Sequence, residues 1–241
     1  MLTADGLTKL YKNGRGAREV TFCVEGGEVM GLLGPNGSGK TTVMKACVGL
    51  VLPTAGRAAI GGHDVVTRRE AALAGVGALI ESPALFDRLT ARRNLEMAAA
   101  YYPELPGGRV DEVLAIVELE RYPKDKVLSF SLGMRQRLGV ALALLSRPSV
   151  LILDEPANGL DIEGMVAIRE IVKNAAASGA AVLISSHLAH EIELSATKVG
   201  VMHDGMLLKT ATMAEVLTVS PSLEDYYLAE VQNYRKGRLS A

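Results

Sequence analysis

The stretch "GPNGSGKT", residues 34–41, leaves this chain few ways to fold. It fits G-x-x-x-x-G-K-[ST], a loop whose glycines let backbone N–H groups turn inward around phosphate oxygens. A side chain at Gly37 or Gly39 would block that approach or strain the turn. The apolar run Val29, Met30, Leu32 and Leu33 precedes the loop, and Val43, Met44, Cys47, Val48 and Val51 recur at helical spacing after it. Strand, turn and helix is the order the mechanism needs, because the helix start near Lys40 adds its positive dipole end. Lys40 then supplies a point charge to the outer phosphates, and Thr41 offers a hydroxyl to Mg²⁺. Pro53 and Gly56 are expected to end the helix.

The remaining pattern divides into three parts. Residues 18–33, "REVTFCVEGGEVMGLL", read as two strands with Gly26-Gly27 as a hairpin turn, and "GRAAIGGHDV" as a second hairpin at Gly61-Gly62. From about residue 82 to 147 the pattern is helical. Thr90 is placed to cap one helix, with Leu95, Ala98, Ala99 and Tyr102 inside; "GGRVDEVLAIVELE" gives a second, and Ser131–Ser146 a third. Strand and helix alternate afterwards: "SVLILD", a helix over 163–178 between Asp161 and Gly179, then "AAVLIS". Uninterrupted apolar strands suit a parallel sheet buried on both faces. "VGVMHDGMLLK" is a hairpin at Asp204-Gly205, and residues 222–231 make a closing helix before the basic tail 232–241.

Three strands therefore end in polar residues: at Gly34, at Asp154-Glu155, and at Ser186-His187. In a parallel sheet, ligands bind beyond the carboxyl ends of the strands, so these distant positions should meet. Asp154 is placed to reach Mg²⁺, and Glu155 to polarise an attacking water as general base. "HLAHE", residues 187–191, has neither zinc-protease spacing, which excludes that chemistry.

A net charge of -1 gives no electrostatic footprint for nucleic acid. Cys23 and Cys47 lie in apolar segments without CxxC spacing and read as buried thiols of a reducing compartment. The start "MLTADGLTKLYK" has no apolar signal core, and no run of about 18 apolar residues is present to cross a membrane.

With "SFSLGMRQRLGVALALLSRPSVLILDEPANGLD" in view, the chain resembles the ATP-binding subunit of an ATP-binding cassette (ABC) transporter, over nearly its whole length to about residue 230. Among these it most resembles subunits of bacterial exporters for antibiotics, bacteriocins or lantibiotics. The resemblance implies an α/β P-loop NTPase with a parallel-sheet core, an antiparallel β edge and an inserted helical subdomain over about 82–147, all in one domain spanning 1–231. It implies that Tyr11 stacks on adenine. Gly34, Pro35, Asn36, Gly37, Ser38, Gly39, Lys40, Thr41 and Thr42 hold the ATP phosphates. Asp154 is the metal-site aspartate, Glu155 the catalytic glutamate, and His187 the switch histidine at the γ-phosphate. Asn158, Gly159, Leu160 and Asp161 match a loop along a dimer seam.

Two departures stand out. The signature motif, usually L-S-G-G-Q, reads "FSLGM" here: Ser131 and Gly133 remain, Leu132 replaces a glycine, and Met134 replaces the glutamine. Ser131 and the amides of its helix still form an anion site, which in the family faces ATP held by the partner subunit. In "GALIESPAL", Glu81 holds a place where the family often has a glutamine. A carboxylate there serves as an Mg²⁺ ligand or as a surface acid.

The leading expectation is an ATP-hydrolysing motor that closes with a second copy or a related ATPase subunit. It would drive export of an antibiotic, peptide or lipid-like compound through a separate transmembrane permease. It would sit at the cytoplasmic side of the cell membrane, peripheral through that permease. Leu85, Phe86 and Leu89 serve either that contact or packing of the insert. The rivals are a soluble ABC ATPase of translation or DNA repair, and a nucleotide sensor without turnover; intact Glu155 and His187 oppose the sensor.

Overall fold

In this computed structural model residues 1–239 are described; Ser240 and Ala241, the end of the expected tail, lie outside the described residues. The N-terminal strands β1 (Leu2–Leu10) and β2 (Gly16–Val24) pair antiparallel, each burying alternate residues on one face. β3 (Val29–Leu33) follows, and all five of its residues are buried. Gly26-Gly27 is a turn, with Glu28 N–H donating to the Glu25 carbonyl, but it is not the expected hairpin, for β2 and β3 do not pair. A strand buried on both faces needs helices above and below, which β2 with its exposed residues cannot share. The glycine pair instead carries the chain from the antiparallel edge into the parallel core.

α1 (Lys40–Cys47) ends ahead of Pro53. Gly49 takes φ +65, and the N–H groups of Gly49 and Leu50 return to the carbonyls of Ala46 and Lys45. β4 (Ala55–Ile60) and β5 (His63–Asp64) form the hairpin at Gly61-Gly62, followed by α2 (Arg69–Leu73) and β6 (Val76–Leu79). The insert carries α3 (Ala91–Ala99), α4 (Arg109–Ile116), a 3₁₀ turn at Val127–Ser129 and α5 (Leu132–Leu144). Thr90 caps α3 as expected, accepting from Arg93 N–H at 3.2 Å.

β7 (Val150–Leu153), α6 (Ile162–Ala177), β8 (Ala181–Ser186), α7 (Ala189–Ser195), β9 (Lys198–His203), β10 (Met206–Thr212), α8 (Met213–Val219) and α9 (Leu223–Leu239) complete the chain. The closing helix runs past residue 231 to Leu239, so most of the expected tail is helical. Its far end is docked on the β9–β10 hairpin: the Tyr234 ring stands 5.9 Å from that of His203, and Arg238 lies 3.7 Å from Asp204.

The strands form one sheet in the order β5-β4-β1-β2-β10-β9-β3-β8-β7-β6, in which β6, β7, β8, β3 and β9 are mutually parallel. Successive residues face opposite sides: Leu151 and Leu153 pack among the insert and α6, Val150 and Ile152 among α1 and the N-terminal strands. Cys47 is buried in α1, which pushes its thiol up to about 12. Cys23 is only half-buried, because it lies on the strand face opposite buried Phe22 and Val24.

α5 lies directly on β6. A Cβ at Gly77 would stand 1.9 Å from the Ala143 carbonyl oxygen, backbone that cannot step aside. Gly77→Ala is expected to cost about 2 kcal/mol by overpacking, lowering the thermal midpoint by about 4–8 °C. Gly107→Ala, where a Cβ meets nothing within 4 Å, serves as the control. Equal midpoints for the two variants in calorimetry would contradict this packing.

Candidate functional site

The phosphate loop leaves β3 at Gly34, where a Cβ would strike the Met202 carbonyl oxygen at 2.2 Å. Gly37 and Gly39 take φ of +84 and +102, the left-handed conformation that glycine adopts without strain. A Cβ on Gly39 would also meet the Gly16 carbonyl oxygen at 2.8 Å, so the start of β2 is packed against the loop. Lys40 is 5% exposed, and its Nζ donates to the carbonyls of Gly34 at 2.6 Å and Pro35 at 3.3 Å. Ser38 Oγ is buried with no hydrogen-bond partner. A curled glycine backbone, a buried ammonium and an orphan hydroxyl fit a polyphosphate.

The three strand ends do meet. β8 lies between β3 and β7, with Leu32 opposite Ser185 and Ile184 opposite Leu153. Asp154, 4% exposed, accepts from Thr41 Oγ1 at 2.8 Å and from Ser185 Oγ at 2.6 Å. Burying this carboxylate is tolerable because each of its oxygens is bonded. Ser185 Oγ also accepts from Glu155 N–H at 2.9 Å. Glu155 adopts φ +48; its Oε2 lies 2.8 Å from His187 Nδ1 and its Oε1 3.3 Å from Lys40 Nζ. One carboxyl group thus touches both the phosphate-loop cation and the histidine at the end of β8.

Tyr11, Pro35, Asn36 and Thr42 complete the surroundings. Tyr11 and Thr42 line the same cleft of about 300 Å³ as Asn36, Gly37, Lys40, Thr41 and Glu155, while the Pro35 carbonyl faces Lys40. The Tyr11 ring is exposed, with Lys9 Nζ 5.6 Å from its centre.

The other expected residues form a second surface. Ser131 caps α5, accepting from Met134 N–H at 3.2 Å, and Asp161 caps α6, accepting from Gly164 N–H at 2.9 Å. Gly133 packs under Leu160, and Gly159 under Leu132, so the signature residues and the 158–161 loop form one continuous patch. Among the described residues, no hydrogen bond or ion pair joins this patch to Lys40. Glu81 stands apart from both groups: its Oε1 lies 2.7 Å from Lys45 Nζ, and among the described residues no hydrogen bond or ion pair links it to Thr41 or Asp154.

Ser185, Gln136 and Lys45 escaped the sequence reading. Gln136 Nε2 donates to the Glu155 carbonyl at 3.3 Å. Ser185 had a visible signal: it is a hydroxyl inside an apolar strand, at the level where the neighbouring strand turns acidic.

The sequence model of the ABC transporter family matches residues 17–158, more than half of the chain. The protein belongs to the ABC transporter ATP-binding family. It is 42% identical over 217 residues to the uncharacterized ABC transporter ATP-binding protein YcbN of Bacillus subtilis (strain 168), covering 90% of this chain and 71% of that one. The bacitracin transport ATP-binding protein BcrA of Bacillus licheniformis is 40% identical over 84% of this chain and 67% of its own. The lantibiotic transport ATP-binding protein SrtF of Streptococcus pyogenes is 36% identical over 86% and 89%. The solved ATP-binding subunit of an ABC transporter superposes with a TM-score of 0.87 at 28% identity, covering 96% of this chain and 99% of that one. A dimeric ATP-binding cassette in a post-hydrolysis state, bound to ADP and Pi, superposes at 0.79 with 25% identity over 88% and 99%. The chain is therefore an ABC ATPase that binds ATP, and its mixed sheet is the P-loop NTPase fold expected from the sequence.

In this ABC ATPase, Ser185 ties the buried Asp154 carboxylate to the backbone of Glu155. Ser185→Ala is expected to reduce ATP turnover about tenfold or more, since a hydrogen bond to a charged group contributes about 1.5–3 kcal/mol. Ser185→Thr, which keeps a hydroxyl, should restore most of it. Native phosphate release from the alanine variant would remove Ser185 from the site.

Proposed function

We propose that this chain is the ATP-hydrolysing motor subunit of a transporter, binding ATP and Mg²⁺ at a dimer seam and driving export through a separate membrane permease. The observation that carries the reading is Glu155, held between Lys40 and His187 directly after Asp154. Lys40 and the loop amides bind and orient the phosphates. Thr41 and Asp154 would hold Mg²⁺, with Glu81 as a further ligand; two carboxylates and a hydroxyl beside substrate phosphates are the kind of set this ion accepts. Mg²⁺ supplies neutralisation of phosphate charge. Glu155 takes the proton of the attacking water, and His187 fixes its carboxylate and contacts the outer phosphate. Tyr11 stacks on the adenine.

Ser131, Gly133 and Met134, with Asn158–Asp161, face the nucleotide of a second copy or a related ATPase subunit. Leu132 is 66% exposed on that patch, a large apolar side chain that a partner surface would cover. The dimeric cassette bound to ADP and Pi supports this pairing. Loss of the γ-phosphate that both halves grip opens the seam.

On the insert, Phe86, Met97 and Tyr101 are exposed around a cleft of about 650 Å³, which supports a contact with a membrane protein. No helix among the described residues is long and apolar enough to cross a membrane. On this reading the chain works peripherally, at the cytoplasmic side of the membrane, through the permease. The bacitracin and lantibiotic relatives support export of an antibiotic, peptide or lipid-like cargo.

Glu155→Gln protein, purified with ATP and Mg²⁺ from detergent-solubilised membranes, is expected to be dimeric and to bring down a protein with several transmembrane helices. Recovery of only ribosomal, DNA-bound or other soluble partners would overturn the transporter reading while leaving the ATP chemistry. Lys40→Ala should abolish phosphate release in the same preparation.

A further inference from the structure

Helix α1 carries two residues that matter to Glu81. Thr41 and Lys45 are four positions apart, hence on one face and one turn, about 5.4 Å, from each other. Thr41 Oγ1 is bonded to Asp154, at the place where the metal is to be held. Lys45 Nζ holds Glu81 Oε1 at 2.7 Å. Glu81 is thus paired with a lysine that shares a helix face with the Thr41 hydroxyl.

Its backbone is also under constraint. Glu81 takes φ +61, a conformation that side-chain-bearing residues keep only where their surroundings hold them. The segment beyond it is fastened to the insert. Pro83 lies so close to Gly139 of α5 that a Cβ there would meet it at 2.7 Å. The Asn94 side chain brackets Phe86, accepting from its N–H at 2.8 Å and donating to its carbonyl at 3.2 Å, and Arg135 pairs with Asp87 at 2.7 Å. A shift of Glu81 is therefore passed to the insert, because the chain that follows is not slack.

We propose that Lys45 is a positioning residue that holds Glu81 in a resting place, and that Glu81 exchanges the lysine for Mg²⁺ when ATP is loaded. The proposal rests on the reading of Glu81 as a metal ligand. It depends on the carboxylate: a neutral amide at this place has little attraction for an ammonium, whereas Glu81 has two competing cations one turn apart. The pair suits exchange because it is weak. Its side chains are 24% and 62% exposed, and solvent screens such contacts heavily. Lys45 thereby sets the threshold at which the Glu81 carboxylate turns to the metal.

The test counts metal binding rather than turnover. Mn²⁺, standing in for Mg²⁺, is titrated into protein carrying a non-hydrolysable ATP analogue, and the free ion is read by electron paramagnetic resonance. Five proteins are compared: native, Lys45→Met, Lys45→Arg, Glu81→Gln and the double variant Lys45→Met/Glu81→Gln. Lys45→Met is expected to tighten Mn²⁺ about two- to fivefold when Glu81 is present, the fold-change matching an exposed pair. It should do so by only a fraction of that in the Glu81→Gln background, and Lys45→Arg should restore native affinity. An equal shift in both backgrounds would reduce Lys45 to a bulk charge and overturn the proposal. Unchanged Mn²⁺ affinity in Glu81→Gln itself would remove Glu81 from the metal, and the underlying reading would fail first.

Discussion

The parallel pairing of β8 with β3 on one side and β7 on the other is the constraint on which the site depends. Residues 32, 185 and 154 come to one level only because Leu32 pairs with Ser185 while Leu153 pairs with Ile184. A one-residue slip in either pair would turn Asp154 or Ser185 to the other face of the sheet. Burial enforces the register: every residue of β3, β7 and β8 is buried, so any slip exchanges the two apolar clusters that the sheet separates. The polar ends then follow as a consequence of apolar packing elsewhere.

That placement concentrates charge where water is scarce. Lys40 and Asp154 are almost fully buried, and each is surrounded by groups that satisfy it: two backbone carbonyls for the ammonium, two hydroxyls for the carboxylate. Removing one partner is more damaging than the strength of any single bond suggests, because the remaining charge stays buried. Glu155 adds backbone strain, with φ +48 at a residue that has a side chain. Its N–H bond to Ser185 and the Gln136 contact to its carbonyl clamp that conformation from both sides. The strained residue is held on both sides by side chains from a strand and a helix far from it in the chain.

What was legible in the sequence was what is local. The phosphate loop, the apolar strands ending in Asp154-Glu155 and Ser186-His187, the caps at Thr90 and Asp161, and the hairpins at Gly61-Gly62 and Asp204-Gly205 each rest on a few adjacent residues. What failed depends on partners distant in the chain. Gly26-Gly27 has the composition of a hairpin turn, but β3 finds β8 and β9 instead of β2. The closing helix, expected to stop at residue 231, runs on to Leu239 because Tyr234 meets the β9–β10 hairpin, while its basic residues stay exposed. Lys45 looked like any exposed helix lysine, because its pairing with Glu81 crosses between separate elements.

The short link between the two functional surfaces has a mechanical consequence. Helix α5 carries Ser131 and Gly133 at its start and Gln136 within its next turn, and Gln136 is bonded to the Glu155 carbonyl. The 158–161 loop begins just beyond Glu155, and its Gly159 and Leu160 pack against Leu132 and Gly133. On the proposed dimer, the patch that meets a partner's nucleotide is therefore tied to this protomer's own general base through one side-chain hydrogen bond and one stretch of packed backbone. A displacement of α5 by the partner cannot leave Glu155 where it was unless the Gln136 contact breaks. Coupling of this kind needs no long pathway, only two surfaces built on the same helix and the same loop.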